Sequence, residues 1–481
     1  MKTQPIESYH FYPPIKSYFE NLKRVLIFKE IGNNTLKRII STIERNDEFG
    51  RLLACPEYQQ ILDKEKNLRG NCKTGAVICI DGRIPIIHQF GRAVNVWEVA
   101  GSLMKMGLKG KYITSHLFIE VLRQNIIEQK SEGKKRDLLE IVTAHTSLTA
   151  KEAGHKCGAI AANFSEELKE GKDPIKIAID EADKRRQAIE NTYNFLLKGE
   201  GLQKQKQVAI SALIDTDTMG FILNYGNTNE LSTTKLLMES GWKDKIEKIV
   251  AENISRFGSM RETFTSNNKD CFIDYSKKIS DITEFLLNSE EFGFKQYLDS
   301  YINDNFDKLT DGEDGQKQAL KFVIARTMAV QYLTGLAQLP GKSEPDHPFS
   351  GHREQGMSIS LEGRSMGRFD PKEQFFASSP DSIENAIVHI KTKLSILDKH
   401  RHGDEPDILF VSNPVDGAKS ADDPARQTIR KDNGELYLAL MKDEKIREIV
   451  TKGNLIIIPV LVDEDQGQVL EILDHSAYLL T

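Results

Sequence analysis

Apolar positions recur at spacings of three and four through the first part of the chain: Ile15, Phe19, Leu22, Val25 and Leu26, then Leu36, Ile39, Ile40 and Ile43. Such spacing places them on one stripe of a helix, and it predicts a helical unit from Pro14 to about Arg69. The pattern changes at Gly75. AVICI is a short, β-rich apolar run that ends at the turn-forming pair Asp81-Gly82, and LLEIVTAH, residues 138 to 145, is a second. VAISALID, from Val208 to Asp215, is a third, followed by another apolar stretch from Met219 to Leu223. Helical patterns stand between these runs, one from Ile119 to about Gln129 and one from Pro174 to Lys198. Asp173 suits the N-cap of the second, Pro174 its first position and Gly199 its end. Strands that alternate with helices predict a parallel α/β sheet.

Residues 230 to 335 read as mostly helical, and LPGKSEPDHPFSG, residues 339 to 351, as a linker. A second α/β unit follows, with strands DILFVSN from Asp407 and NLIIIPVLVD from Asn454. At about 150 residues per domain, a chain of 481 residues divides into about three parts. The expected parts are a helical domain over 1–69, an α/β domain carrying the chemistry over 70–338, and a C-terminal α/β domain over 339–481.

Charge narrows the function classes. Charged residues make up 28% of the chain, but the signs are mixed and the net charge is −6, so no basic face for nucleic acid is indicated. The first residues, MKTQPIESYHFYPPIKS, lack the apolar middle of a secretory signal. The longest apolar run, Leu455 to Val462, is interrupted by Pro459 and falls far short of the roughly 20 residues that span a bilayer. A soluble, cytoplasmic protein is expected. Five cysteines, an odd number without regular close spacing, do not form a disulfide framework, so each is weighed as a metal ligand, a reactive thiol or a packing residue.

The informative segment is Val77-Ile-Cys79-Ile-Asp81-Gly-Arg83, where a thiol at a strand end is followed at alternate positions by a carboxylate and a guanidinium. In extended chain these three side chains share a side. The next crossover returns a strand ending at His145, and the segment after it carries Cys157. Strand ends at one edge of a parallel sheet are where such folds place their sites. Two thiolates and one imidazole suit Zn2+, and three protein ligands leave the fourth tetrahedral position to water, which is the catalytic arrangement. Because two thiolates cancel the charge of the ion, a further acceptor is needed for that water, and Asp81 is placed to be it. Arg83 would hold Asp81 by a charge-assisted contact and keep it off the metal. The reaction that fits is attack of a zinc-held hydroxide on a small electrophile such as carbon dioxide.

Other candidates receive plainer readings. His155 competes with His145 for the nitrogen position, and the predicted strand end favours His145. Asp215 and Asp217, in DTDT after a strand, read as turn formers and caps before they read as ligands. Cys55, Cys72 and Cys271 are taken as packing residues, and His347 and His352 fall in or beside the linker. Lys184-Arg185-Arg186 lies among Asp180, Glu181 and Asp183 and reads as a solvated helix face. No phosphate-binding glycine motif is present, nor the H-x-E and P-C-x-x-C pattern of zinc deaminases.

Cys-x-Asp-x-Arg at 79 to 83, Ala100-Gly101 in WEVAGS, a histidine, and Cys157-Gly158-Ala159 together resemble the β-class carbonic anhydrases. The usual motif has two residues between histidine and cysteine. The longer TSLTAKEAGHK between His145 and Cys157, with LIDTDTMGF at 213 to 221 and GHREQGMSIS at 351 to 360, is similar to the carboxysome shell subgroup. That resemblance implies Cys79, His145 and Cys157 as zinc ligands, Asp81 and Arg83 as the catalytic pair, and carbon dioxide and bicarbonate as the reacting molecules. It further implies a homodimer, a C-terminal domain that is a decayed copy lacking the ligands, and association with a microcompartment shell or Rubisco in a carboxysome. The rival reading is a non-catalytic shell or scaffold protein that keeps zinc as a structural element.

Overall fold

The computed structural model describes residues 33–79, 95–99, 137–148, 165–199, 207–239, 269–288, 293–312, 315–334, 354–359, 374–378, 406–417, 420–463 and 468–473, with parts of 382–394. Its helices are α1 (Asn33–Ala54), α2 (Pro56–Arg69), α3 (Ser165–Lys169), α4 (Pro174–Gly199), α5 (Thr233–Glu239), α6 (Lys269–Asn288), α7 (Phe294–Asn305), α8 (Gln316–Thr334), α9 (Pro424–Lys442) and α10 (Glu444–Thr451). Its strands are β1 (Lys73–Cys79), β2 (Asn95–Val99), β3 (Leu138–Thr146), β4 (Gln207–Asp215), β5 (Gly220–Leu223), β6 (Leu231–Ser232), β7 (Glu354–Ile359), β8 (Gln374–Ser378), β9 (Asp407–Val415), β10 (Leu455–Asp463) and β11 (Val469–Ile472). The protein is α/β, with two sheets that each contain parallel strands. The chain divides into a unit of Leu52–Arg353 and a unit formed by Met1–Arg51 with Glu354–Thr481.

In the Leu52–Arg353 unit the sheet order is β2-β1-β3-β4-β5-β6. The first four strands in this order are parallel, β5 runs antiparallel to β4, and β6 runs antiparallel to β5. Every residue of β3 is buried, because its alternate side chains serve two clusters. Leu138 and Val142 join Val77 and Ala209 with Ile189, Tyr193 and Leu197 of α4. Leu139 and Ile141 join Ile210, Ala212 and Ile214 with Ile279, Ile282 and Leu286 of α6 and Val323 and Met328 of α8. Each fully buried aliphatic side chain of this kind contributes about 1.5–3 kcal/mol through removal from water. The start of α4 is as the sequence suggests: Ile175 N donates to Asp173 Oδ1 at 2.9 Å.

In the other unit the order is β11-β10-β9-β7-β8, with β8, β7, β9 and β10 parallel and β11 antiparallel. Ile39 and Ile43 of α1 pack with Ile408 and Phe410 of β9, Ile458, Val460 and Val462 of β10, and Val469 and Ile472 of β11. Asp47 of α1 accepts from Val469 N at 2.8 Å, and Arg38 donates to Pro406 O at 2.6 Å. From α9, Asn433 Nδ2 donates to Val411 O at 2.9 Å and to Asn413 Oδ1 at 3.1 Å.

The five strands of the second sheet thus take the order of the first five of the first sheet, second-first-third-fourth-fifth, with the same pattern of directions, and β6 is additional in the first. Their third and fourth strands also share a register: β3 and β4 pair from Leu138↔Gln207 to Thr146↔Asp215, and β9 and β10 from Asp407↔Leu455 to Val415↔Asp463.

Strands β2, β6, β7, β8 and β11 were not anticipated from the apolar pattern, since NVWEV, LS, EQGMSI, QFFAS and VLEI are short or broken by polar residues. The pattern from Ile15 to Leu26, the helix expected from Ile119 and the linker at 339–351 lie outside the described residues. Among the described residues no helix is long and apolar enough to cross a membrane.

Candidate metal centre

Parallel strands β1, β3 and β4 present their C-terminal ends at one edge of the first sheet. β1 and β3 pair from Lys73↔Leu138 to Val77↔Val142. Two residues past Val77 comes Cys79, the last residue of β1, and two past Val142 comes Ala144, immediately before His145. Cys79 and His145 therefore stand on neighbouring strands at the same edge. Thr143 helps to hold these strand ends side by side, its Oγ1 donating to Val77 O at 3.2 Å. His145 is 1% exposed, so its imidazole is held within the protein at that edge.

Asp215 ends β4 opposite Thr146 and next to His145's partner Ile214. Both of its carboxylate oxygens are engaged. Oδ1 accepts from Asp217 N and from Leu148 N, both at 3.2 Å, and Oδ2 accepts from Thr218 Oγ1 at 2.7 Å. Ser147 Oγ donates to Asp217 Oδ2 at 2.7 Å, and Thr216 N donates to Thr146 O at 3.0 Å. Gln331 of α8 reinforces the turn by donating to Thr218 O at 3.0 Å and to Thr234 Oγ1 at 2.7 Å. Met219, buried at the end of this turn, adopts a left-handed φ of 55°, which costs an ordinary side chain about 1–2 kcal/mol and is held by the surrounding bonds. Burial pushes the Asp215 carboxyl above its ordinary 3.8, against the pull of the Thr218 hydrogen bond.

Glu140 is a second buried acid on β3, paired with Gly75 of β1. Burial raises its carboxyl to about 8. The Tyr193 hydroxyl of α4 is pushed well above its ordinary value, chiefly by burial and further by the nearby Glu140.

Of the residues expected at the site, the structure thus brings Cys79 and His145 to one edge, with Asp215 beside them in a turn. Asp81, Arg83, His155 and Cys157 lie outside the described residues, and Cys79 is described by its backbone. Among the described residues no group of three His, Cys, Asp or Glu side chains forms a metal cage. A cysteine and a buried histidine at adjoining strand ends nonetheless fit zinc in kind, since thiolate and imidazole are its preferred donors. Ser147 and Leu148 carry no signal in the sequence as partners of the DTDT segment, nor does the bond from Thr218 to Asp215 within it. Sequence reasoning also missed Glu140, whose signal was an acid in the middle of the apolar run LLEIVTAH. No family model and no curated protein matches the chain.

Proposed function

We propose that the chain is a zinc-dependent carbonic anhydrase of the β type, catalysing the reversible hydration of carbon dioxide to bicarbonate and a proton. The observation that carries this reading is the placement of Cys79 and His145 at the ends of adjacent parallel strands, with the Asp81-Gly-Arg83 motif following directly from the first. Cys79, His145 and Cys157 hold the metal. When bound, zinc supplies a Lewis acid that brings the deprotonation of water into the neutral range. Asp81 accepts a hydrogen bond from the reacting water and orients it, and Arg83 keeps the carboxylate aimed and off the metal.

The common strand order of the two sheets supports a C-terminal domain that is a copy without the ligands. The sequence retains traces of it. Ser360-Leu-Glu362-Gly-Arg364 follows β7 where Cys79-Ile-Asp81-Gly-Arg83 closes and follows β1, and Asp463-Glu-Asp465 ends β10 where Asp215-Thr-Asp217 ends β4. With serine in place of the cysteine, the second sheet would carry the fold without the metal. In this reading 70–338 is the zinc domain, 339–481 the decayed one and 1–69 a helical N-terminal part. The working form is a cytoplasmic homodimer, with a carboxysome as the compartment the family resemblance suggests.

The test is oxygen-isotope exchange between carbon dioxide and water, run on the parent, Asp81→Asn and Arg83→Ala. Activity in the parent and a fall of about 10- to 100-fold or more in both variants, with zinc content unchanged, is expected. Equal catalysed rates in all three would remove Asp81 and Arg83 from the reaction, whereas a zinc-loaded parent that catalyses no exchange would favour a scaffold protein with a structural zinc.

A further inference from the structure

The segment that leaves β3 is pinned by one side chain. Leu148 N, two residues beyond the end of β3, donates to Asp215 Oδ1 at 3.2 Å. The same oxygen accepts from Asp217 N, closing a turn on itself, while Thr218 Oγ1 binds the other carboxylate oxygen at 2.7 Å. Ser147 is tied to the same turn through Asp217 at 2.7 Å. Three consecutive residues after His145, from Thr146 to Leu148, are thereby bonded to the turn that Asp215 organises.

The second sheet brings a carboxylate to the corresponding place. Asp463 ends β10 opposite Val415, as Asp215 ends β4 opposite Thr146. Gly417 lies two residues past the end of β9, the position of Leu148 relative to β3, and a Cβ there would collide with Asp463 Oδ2. In both sheets the carboxylate closing the fourth strand lies on the second residue after the third. A carboxylate placed alike in both sheets belongs to the fold, and it argues that Asp215 acts through the backbone it holds and not as a donor to the metal.

We propose that Asp215 is a positioning residue for the site: by clamping Thr146 to Leu148 it fixes the exit of β3, and so the stance of His145 and the start of the segment that runs on to Cys157. This inference rests on the zinc reading above. It predicts that the carboxylate can be replaced by any group that keeps the acceptor at Oδ1. Asn does so, and the Thr218 hydroxyl can accept from its amide instead of donating; Ala does not.

The experiment compares the parent, Asp215→Ala, Asp215→Asn and Asp463→Ala by zinc retention against a chelator, amide exchange at Leu148, and the rate and pH profile of carbon dioxide hydration. Asp215→Ala is expected to exchange the Leu148 amide at least about 10-fold faster. It should lose zinc and activity by about 10- to 100-fold while keeping the midpoint of the pH profile. Asp215→Asn should stay within about 3-fold of the parent in every readout, and Asp463→Ala should keep parental zinc retention. Should Asp215→Ala fail to fold, Ser147→Ala loosens the same clamp and is expected to shift zinc retention in the same direction. Faster exchange without loss of zinc or activity in Asp215→Ala would reduce the residue to a structural one and overturn the proposal. So would an Asp215→Asn variant as impaired as Asp215→Ala, or one with a displaced pH profile, since either would make the charge itself the working element. A parent that holds no zinc and hydrates no carbon dioxide would overturn the zinc reading and this proposal together, whereas an active zinc-loaded parent with an unaffected Asp215→Ala would overturn this proposal alone.

Discussion

The Glu140 carboxylate lies directly over the backbone of its register partner Gly75, so that a Cβ at position 75 would collide with it. A glycine in a central strand normally weakens the sheet; here it makes the room in which a buried acid sits. Gly75→Ala is therefore expected to destabilise the Leu52–Arg353 unit by about 1–3 kcal/mol, as overpacking does. The penalty should shrink when Glu140 is also Ala. Urea unfolding of the four members of this double-mutant cycle measures the coupling, and strictly additive effects would contradict the contact.

The same acid gives stability a definite slope with pH. In the folded chain the Glu140 carboxyl titrates at about 8, raised by burial from an ordinary value of 4.5. The folded state thus holds its proton where the unfolded state has released it. Its contribution is complete below the unfolded value and is lost as pH rises through the folded one, at about 1.4 kcal/mol per pH unit in between. Unfolding midpoints measured from pH 5 to 8 should fall more steeply in the parent than in Glu140→Gln. Asp47, raised by burial to about 6, adds a slope of the same sign in the other unit, ending nearer pH 6. Parallel profiles for parent and Glu140→Gln would refute the assignment.

Much of the α/β framework was legible because buried parallel strands leave a continuous apolar signature: β3, β4, β9 and β10 begin and end within a residue or two of the runs that announce them. Edge and short strands leave none. β2 and β8 lie at the outer end of their sheets, and β6 is a two-residue strand that only pairing with β5 defines. At the site, a cysteine and a histidine at strand ends could be read directly from the chain. The clamp could not, because Asp215 meets Leu148 across 67 residues of sequence, and DTDT alone specifies a turn without saying what the turn holds. The pairing of Gly75 with Glu140 is likewise a matter of register.

Glu65 of α2 and Arg326 of α8 form an ion pair whose side chains are 5% and 2% exposed. Burial drives the Glu65 carboxyl up, and the Arg326 guanidinium is the strongest force opposing it. Arg69 extends the cluster to Thr74 at the start of β1, with a hydrogen bond of 3.1 Å. Removing one charge should cost about 3–5 kcal/mol, since the other is left buried without its main partner. Replacing both, as Glu65→Leu with Arg326→Met, should restore most of that loss. Thermal unfolding of the two single variants and the double variant decides the matter. A double variant no better than either single one would show that the pair does not act as a unit.

Zinc at the edge where β1 and β3 end is what the proposed activity requires. Its most direct measurement is the metal content of the purified chain, with the donor atoms read by X-ray absorption spectroscopy. The expected result is about one zinc per chain with two sulfur ligands and one nitrogen from the protein, lost in Cys79→Ser and in His145→Ala. A chain that folds and holds no zinc, or that keeps a full complement in both variants, would contradict it.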